Sequence, residues 1–219
     1  MRFRAVIFDL WETLVDWPVE EARELTRRIA GHTGLDDDAF TRAYEENYRL
    51  RETGPLAAAY RALGVPDEHV ETLVAARHDL ARRALLPRDG VLATLEKLRS
   101  RGIKLGLISV CSEEVPVAWP ETPLASHFDV ATFSSDCGVM KPEPEIYLRT
   151  ADALGVEPRE TLYVGDGAND ELRGARDVGM TAVLIVPGGR EPWWPEVRSW
   201  DGPRIESIPE VLNLAELAA

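Results

Sequence analysis

The sequence is poor in cysteine, in basic residues and in long apolar runs, and each shortage excludes a class of protein. Its two cysteines, Cys111 and Cys137, fit neither a metal-ligand spacing nor a disulfide framework. No apolar run approaches the roughly 20 residues that span a bilayer. The 25 basic residues face 38 acidic ones, and the formal net charge of −13 would repel a nucleic acid. The first predicted strand leaves no room for an export signal, so we expect a cytoplasmic protein that binds neither nucleic acid nor membrane.

The remaining composition is that of a globular protein, with 45% hydrophobic and 29% charged residues in a chain of 219. Short and nearly continuous apolar runs predict strands buried on both faces, at residues 5–8, 103–108, 130–133, 161–164 and 181–186. Helical patterns at residues 89–101, 142–154 and 169–178 alternate with these runs. The alternation predicts an α/β fold with a doubly wound parallel sheet.

One stretch carries only helical patterns and predicts an inserted module. It divides the chain into a core domain of residues 1–16 and 87–219 and a helical domain of residues 17–86. Within the insert, Phe40, Tyr44 and Tyr48 stand at i, i+4 spacing, and we interpret this stripe as the core of the module. Near the C-terminus, residues 187–203 predict a surface loop packed by its own aromatics, which are Trp193, Trp194 and Trp200.

Polar side chains follow four of the predicted strands. Asp9 follows the first strand, Ser109 the second, a loop with Lys141 the third, and Asp166 and Asp170 the fourth. Open parallel sheets bind ligands beyond the carboxyl ends of their strands, so we expect these side chains to form one site. Lys141 is one of only three lysines against 22 arginines, which suggests that a compact, flexible point charge is useful there.

These residues resemble the four motifs of the haloacid dehalogenase superfamily. Asp9 with Thr13, Ser109, Lys141, and Asp166 with Asp170 match the motifs in order, and the helical insert falls where that family carries a cap over its site. The resemblance implies that Asp9 is a nucleophile that forms a covalent intermediate.

The resemblance also implies the other members of the site. Mg²⁺ would be bound by Asp9, Asp166 and the backbone carbonyl of Trp11, because magnesium prefers oxygen ligands. Ser109 and Lys141 would hold the transferred group, and Asp170 would orient Lys141 or a metal-bound water. The remaining substrate contacts would come from the loops after the first two strands, at Leu10, Trp11, Thr13 and Val110.

Two departures from the family pattern point in opposite directions. Trp11 stands where the phosphatase branch has a second aspartate, and general acid–base catalysis contributes about 10²- to 10⁴-fold in rate. A halide leaves without a proton, and dehalogenases carry an aromatic residue at this position. Dehalogenases, however, lack an acid at Asp166 and carry asparagine where this chain has Val110. Two carboxylates held about 4 Å apart without a cation would repel by roughly 4 kcal/mol at a dielectric constant of 20.

We therefore predict a Mg²⁺-dependent phosphohydrolase for small anionic substrates with a good leaving group, such as acyl, aryl or anhydride phosphates. The alternatives are a metal-independent L-2-haloacid dehalogenase and a catalytically weakened phosphate-binding module. A further hypothesis is that Glu12 serves as the general acid that Trp11 cannot provide. The alternative is that Glu12 is a solvated loop carboxylate. Substrate choice would depend on insert residues, with Arg42, Tyr48, Arg49 and Arg51 as candidates by position. The sequence leaves open a monomer or a homodimer.

Overall fold

The computed structural model describes residues 3–189, 191–192 and 194–216. Its sheet has the strand order β3-β2-β1-β4-β5-β6. Every strand pair in these residues is parallel. The strands are β1 (Ala5–Phe8), β2 (Lys104–Ser109), β3 (Val130–Phe133), β4 (Thr161–Gly165), β5 (Thr181–Ile185) and β6 (Arg204–Ile205). This confirms the predicted parallel α/β fold and its five strands to within a residue, while the two-residue β6 was too short to predict.

Helices cover both faces of the sheet. In β1, Val6 and Phe8 point into one hydrophobic cluster and Ala5 and Ile7 into another, because successive side chains of a strand face opposite sides. The helices outside the insert are α6 (Val91–Ser100), α7 (Glu114–Ala118), α8 (Ser134–Cys137), α9 (Pro144–Leu154), α10 (Glu171–Asp177) and α11 (Val211–Glu216). Buried residues of α6 and α11 join the first cluster, and those of α9 and α10 join the second.

Five helices lie between β1 and α6, in the stretch where the sequence carries only helical patterns. They are α1 (Val19–Gly31), α2 (Asp37–Glu46), α3 (Tyr48–Thr53), α4 (Leu56–Ala62) and α5 (Asp67–Ala84). Their apolar faces enclose a third hydrophobic cluster, to which α1 contributes Ala22, Leu25 and Ile29 at helical spacing. Helix α5 packs against α7, and α3 packs against α8, so these two helices connect the insert to the sheet region. The boundaries between the core domain and the helical domain stay a prediction.

The aromatic stripe of the insert is only partly core, which corrects the prediction. Phe40 is buried in the third cluster, and Tyr44 packs against it with ring centroids 5.5 Å apart. Tyr48 leaves the cluster, and its hydroxyl donates a hydrogen bond to Asn169 Oδ1 at 2.8 Å. The reason is a helix break: α2 ends at Glu46 and α3 begins at Tyr48, so the i, i+4 register does not continue.

Within the described ranges, none of the helices is both long and apolar enough to cross a membrane.

Candidate active site

The strand ends bring Asp9 and Lys141 into direct contact. Asp9 follows β1, and its backbone N–H donates to Val164 of the neighbouring β4 at 2.9 Å. The ammonium nitrogen of Lys141 lies 2.5 Å from Asp9 Oδ1, and both side chains are buried. Burial raises the pKa of Asp9 to about 6, although the positive charge of Lys141 opposes the change. The structure therefore brings the first and third motif residues together, although their direct pairing was not predicted.

Glu171, which the sequence reasoning missed, is the second carboxylate that holds Lys141. It is fully buried at the start of α10, and its Oε2 contacts Lys141 Nζ. The same oxygen accepts a hydrogen bond from the Tyr163 hydroxyl at 2.6 Å, and Oε1 accepts one from the Gly167 N–H at 2.9 Å. The Tyr163 hydroxyl also lies 3.2 Å from Lys141 Nζ. These contacts fix the ammonium group between two carboxylates.

Asp170 pairs with Arg173 and not with Lys141, so the predicted orientation of Lys141 by Asp170 is wrong, while the alternative, orientation of a metal-bound water, stays a prediction. The Asp170 carboxylate lies 2.6 Å from Arg173 and is 41% exposed. Asn169 and Asp170 both adopt positive φ angles, of 54° and 55°, so the regular helix begins only at Glu171. The sequence-based helix began two residues earlier, at 169, and that difference turns Asp170 outward and Glu171 inward. Glu171, Leu172 and Ala175 lie on the buried face of α10. The helical spacing of Glu171 with the apolar Ala175 is the sequence signal that could have identified Glu171 as the acid that contacts Lys141.

Three carboxylates form a cluster that could hold a metal ion. One oxygen from each of Asp9, Asp166 and Glu171 lies within 4.8 Å of the others, and all three residues are buried. Burial, and then repulsion by Glu171 and Asp9, raises the pKa of Asp166 to about 8. Lys141 contacts Asp9 and Glu171, whereas Asp166 accepts only hydrogen bonds from neutral donors among the described residues. The oxygen donors and the excess negative charge therefore suit a hard divalent cation. Of the predicted ligands, Asp9 and Asp166 lie in the cluster, while the Trp11 carbonyl stays a predicted ligand.

Three buried hydroxyl oxygens have no hydrogen-bond partner among the described residues, those of Thr13, Ser109 and Ser135, and the first two belong to predicted site residues. Ser109, the last residue of β2, and Thr13, in the loop after β1, are both fully buried, and neither Oγ atom makes a hydrogen bond there. A buried polar group without a partner costs about 1–3 kcal/mol, so unpaired hydroxyls are uncommon in folded proteins. Hydroxyl donors of this kind suit a ligand rich in oxygen atoms.

The other predicted substrate contacts differ in their exposure. The Leu10 side chain is packed in the first hydrophobic cluster, so only its backbone could reach a substrate. Val110 and Trp11 are partly exposed. The Trp11 ring packs edge-on against Trp17 of the insert, with centroids 4.8 Å apart. Trp11 therefore presents an aromatic surface where a catalytic acid would otherwise stand.

Glu12 does not have the arrangement proposed for a replacement acid. Its carboxylate accepts a hydrogen bond from the Trp17 N–H at 2.7 Å and pairs with Arg88 at 3.0 Å. Glu12 has a positive φ angle of 56°, which turns the chain toward these partners. Both partners lie at the junctions of the helical insert, so the carboxylate ties these junctions together. This contradicts the reading of a simply solvated loop carboxylate, and it removes the support for general acid catalysis by Glu12.

Trp194 is a second residue that the sequence reasoning missed. Its indole Nε1 donates a hydrogen bond to Asp166 Oδ2 at 2.8 Å. The prediction of a surface loop held by its own aromatics is therefore wrong for Trp194, while Trp193 lies outside the described residues. This contact joins residues 28 positions apart. Trp194 lies outside the helices and strands, so no periodic pattern signals the contact.

The four specificity candidates of the insert occupy different positions. Tyr48 contacts Asn169 in the loop after β4, as described above. Arg49 pairs with Glu143 at 2.8 Å, beside the loop that carries Lys141. Arg51 is buried and stacks on the Tyr44 ring, with its guanidinium carbon 3.6 Å from the centroid. Arg42 is exposed. Tyr48 and Arg49 are thus the two that reach the strand-end loops.

Comparison with known proteins shows which family the chain resembles. The haloacid dehalogenase-like hydrolase family matches residues 3–179. The chain is 35% identical to a glyceraldehyde 3-phosphate phosphatase of Methanopyrus kandleri, over 84% of each protein. A HAD phosphatase structure from Thermococcus onnurineus matches with a TM-score of 0.71 and 25% identity, covering 97% of both chains.

A 2-haloacid dehalogenase structure from Pseudomonas syringae has a TM-score of 0.70 at 21% identity and covers 99% of this chain and 100% of its own. At that identity the likeness concerns the fold. Taken with the family match and the 35% identical relative, the comparisons show that this chain belongs to the haloacid dehalogenase-like hydrolase family.

Proposed function

We propose that this hydrolase is a Mg²⁺-dependent phosphohydrolase for small phosphorylated molecules with a good leaving group. The observation that carries the proposal is the buried cluster of Asp9, Asp166 and Glu171 at the strand ends. Lys141 pairs with Asp9 and Glu171 but not with Asp166, and a divalent cation would offset the remaining negative charge of the cluster. The 35% identical relative is named as a phosphatase, which supports phosphoryl transfer as the reaction class.

In the proposed mechanism Asp9 is the nucleophile. Its carboxylate oxygen attacks the phosphorus atom, the bond to the leaving oxygen breaks, and an aspartyl phosphate forms. Water then attacks this intermediate, which releases inorganic phosphate and regenerates the Asp9 carboxylate. A bound Mg²⁺ would supply positive charge to the phosphoryl oxygens. Lys141 would stabilise the same oxygens, and the unpaired hydroxyls of Ser109 and Thr13 would donate hydrogen bonds to them.

Trp11 determines which leaving groups are compatible with this mechanism. An indole ring cannot protonate a departing alkoxide, so the leaving oxygen must depart as an anion. Acyl, aryl and anhydride phosphates have leaving groups that are stable as anions, whereas simple alkyl phosphates do not. The partly exposed ring, packed against Trp17, also provides an apolar surface for such a group.

Residues 17–86 would act as a cap domain over this site in the same proposal. Tyr48 bonds to Asn169 and Arg49 pairs with Glu143, so the insert touches the loops after β4 and β3. These contacts place Tyr48 and Arg49 where they could select the part of the substrate that is not transferred.

L-2-haloacid dehalogenation is the second candidate, and Trp11 is the observation that favours it. A halide needs no proton to leave, so an aromatic residue at this position would be no handicap. The buried Asp166 disfavours it, because direct attack of Asp9 on carbon has no use for a second buried carboxylate beside the nucleophile.

A substrate panel with Mg²⁺ and with chelator distinguishes the two reactions. It should contain p-nitrophenyl phosphate, acetyl phosphate, glycerol phosphate and L-2-chloropropionate, with Asp9→Asn as the inactive control. We expect the aryl and acyl phosphates to turn over only with Mg²⁺ and to exceed glycerol phosphate by about 10²- to 10⁴-fold, the usual contribution of a general acid. Chloride release that persists in chelator, without phosphate release, would identify a dehalogenase instead.

A further inference from the structure

Residues 194–200, which follow β5 in the chain, contact the loop that carries Asp166. Trp194 reaches Asp166, and Val197 is buried against the loop after β4. A Cβ atom placed on Gly167 of that loop would lie 2.6 Å from Val197 Cγ1, so the Val197 side chain packs directly against the Gly167 backbone. The segment from Trp194 to Trp200, which we name the indole segment, is therefore packed directly on the residues that follow Asp166.

The far end of the indole segment is also held in place. The Trp200 indole N–H donates to the Pro203 carbonyl at 3.1 Å, and the guanidinium of Arg176 lies 4.8 Å from the Trp200 ring centroid. Arg176 in turn pairs with Asp201 at 2.8 Å. The indole segment therefore contacts both α10 and the Asp166 loop. These contacts hold the backbone that carries Trp194 in place.

The hydrogen bonds to Asp166 fix the plane of its carboxylate. Oδ2 accepts from Trp194 Nε1 at 2.8 Å, and Oδ1 accepts from the Ala168 N–H at 3.1 Å. Each carboxylate oxygen offers two lone pairs, so one on each oxygen is left for a further partner. Both donors are neutral. They orient the carboxylate but leave its negative charge available to a cation. An arginine or lysine donor would carry a positive charge and would compete with the cation for the carboxylate.

We propose that Trp194 is a positioning residue that orients Asp166 for binding a divalent cation. The inference rests on the proposed function, because it assigns the cation site to the cluster of Asp9, Asp166 and Glu171. Residues that orient a metal ligand from behind typically change metal affinity by about 10- to 100-fold when they are replaced. Cation binding would also change the fluorescence of Trp194, because its indole N–H donates a hydrogen bond to a carboxylate oxygen of Asp166.

The test is a Mg²⁺ titration of wild type, Trp194→Phe and Trp200→Phe by calorimetry and by tryptophan fluorescence. Trp200→Phe is the matched control, because it removes an indole of the same segment that does not contact Asp166. We expect the Mg²⁺ dissociation constant of Trp194→Phe to rise by about 10- to 100-fold, with kcat recovered at saturating Mg²⁺. The Mg²⁺-dependent fluorescence change should keep its size in Trp200→Phe and become smaller in Trp194→Phe, where Trp11 is the indole that remains beside the predicted ligands.

Two results would overturn the inference in distinguishable ways. Equal Mg²⁺ dissociation constants in wild type and Trp194→Phe would refute the role of Trp194 and leave the proposed function intact. No Mg²⁺ binding to wild type would refute both the cation site and the inference. If Trp194→Phe does not fold, Trp194→His keeps a neutral ring N–H donor. Its Mg²⁺ affinity should then lie between that of wild type and that of Asp166→Asn, and an affinity no better than that of Asp166→Asn would count against the inference.

Discussion

Replacing Lys141 by methionine should destabilise the protein strongly. Methionine keeps much of the length of the side chain but removes the ammonium group that contacts Asp9 and Glu171. Lys141 is 1% exposed and Glu171 is fully buried, so water cannot take over the lost interaction. Removing one partner of a buried ion pair costs about 3–5 kcal/mol, and stability is typically only about 5–15 kcal/mol in total. The unfolding equilibrium should therefore shift by about 10²- to 10⁴-fold.

Urea unfolding in the presence of a chelator measures this effect without interference from a bound cation. The midpoint should fall in Lys141→Met at an unchanged m-value, because the folded state buries the same surface. Lys97→Met is the matched control. That lysine lies exposed on α6, and its replacement should change the free energy of unfolding by no more than about 0.5 kcal/mol. Equal midpoints for the two variants would refute the conclusion that the Lys141 charge stabilises the acidic cluster.

Three further predictions concern other parts of the structure. Glu171→Gln should lower kcat by about 10- to 150-fold, which is the equivalent of one hydrogen bond to a charged group. The control Asp170→Asn should change kcat by no more than about twofold. Comparable losses in the two variants would contradict the conclusion that Glu171, and not Asp170, holds Lys141. Gly167→Ala should cost more unfolding free energy than Gly102→Ala in urea titrations, since both glycines have positive φ angles but only Gly167 has a side chain 2.6 Å from its Cβ position. Burial raises the pKa of Glu52 from 4.5 to about 7, so the folded state binds that proton more tightly and stability should decrease as pH rises through this window. Glu52→Gln should flatten that part of the stability profile, and an unchanged slope would refute the cause.

The strands were predictable because their signal is local. Both faces of β1 and β4 are buried, so almost every residue in them is apolar, and the strand ends then identify Asp9 and Asp166. The parallel order brings these ends to one edge of the sheet. Fold and the position of the site thus follow from composition and order along the chain.

The errors arose where a one- or two-residue shift or a long-range contact decides the outcome. The helix that carries Glu171 begins later than its pattern indicates, because two successive residues adopt left-handed backbone angles. Tyr48 leaves the insert core because the helix breaks at the residue before it. Trp194 reaches Asp166 only through the path of an irregular segment, which periodicity does not describe. Local patterns specify elements, whereas these contacts depend on how the elements pack.

Anomalous diffraction from crystals grown with Mn²⁺ and a phosphate mimic would locate the cation directly. The proposed mechanism predicts one strong anomalous peak between the carboxylates of Asp9, Asp166 and Glu171, with the mimic bound at Asp9. A structure with the three carboxylates in place and no peak between them would contradict a divalent cation site at the centre of this enzyme.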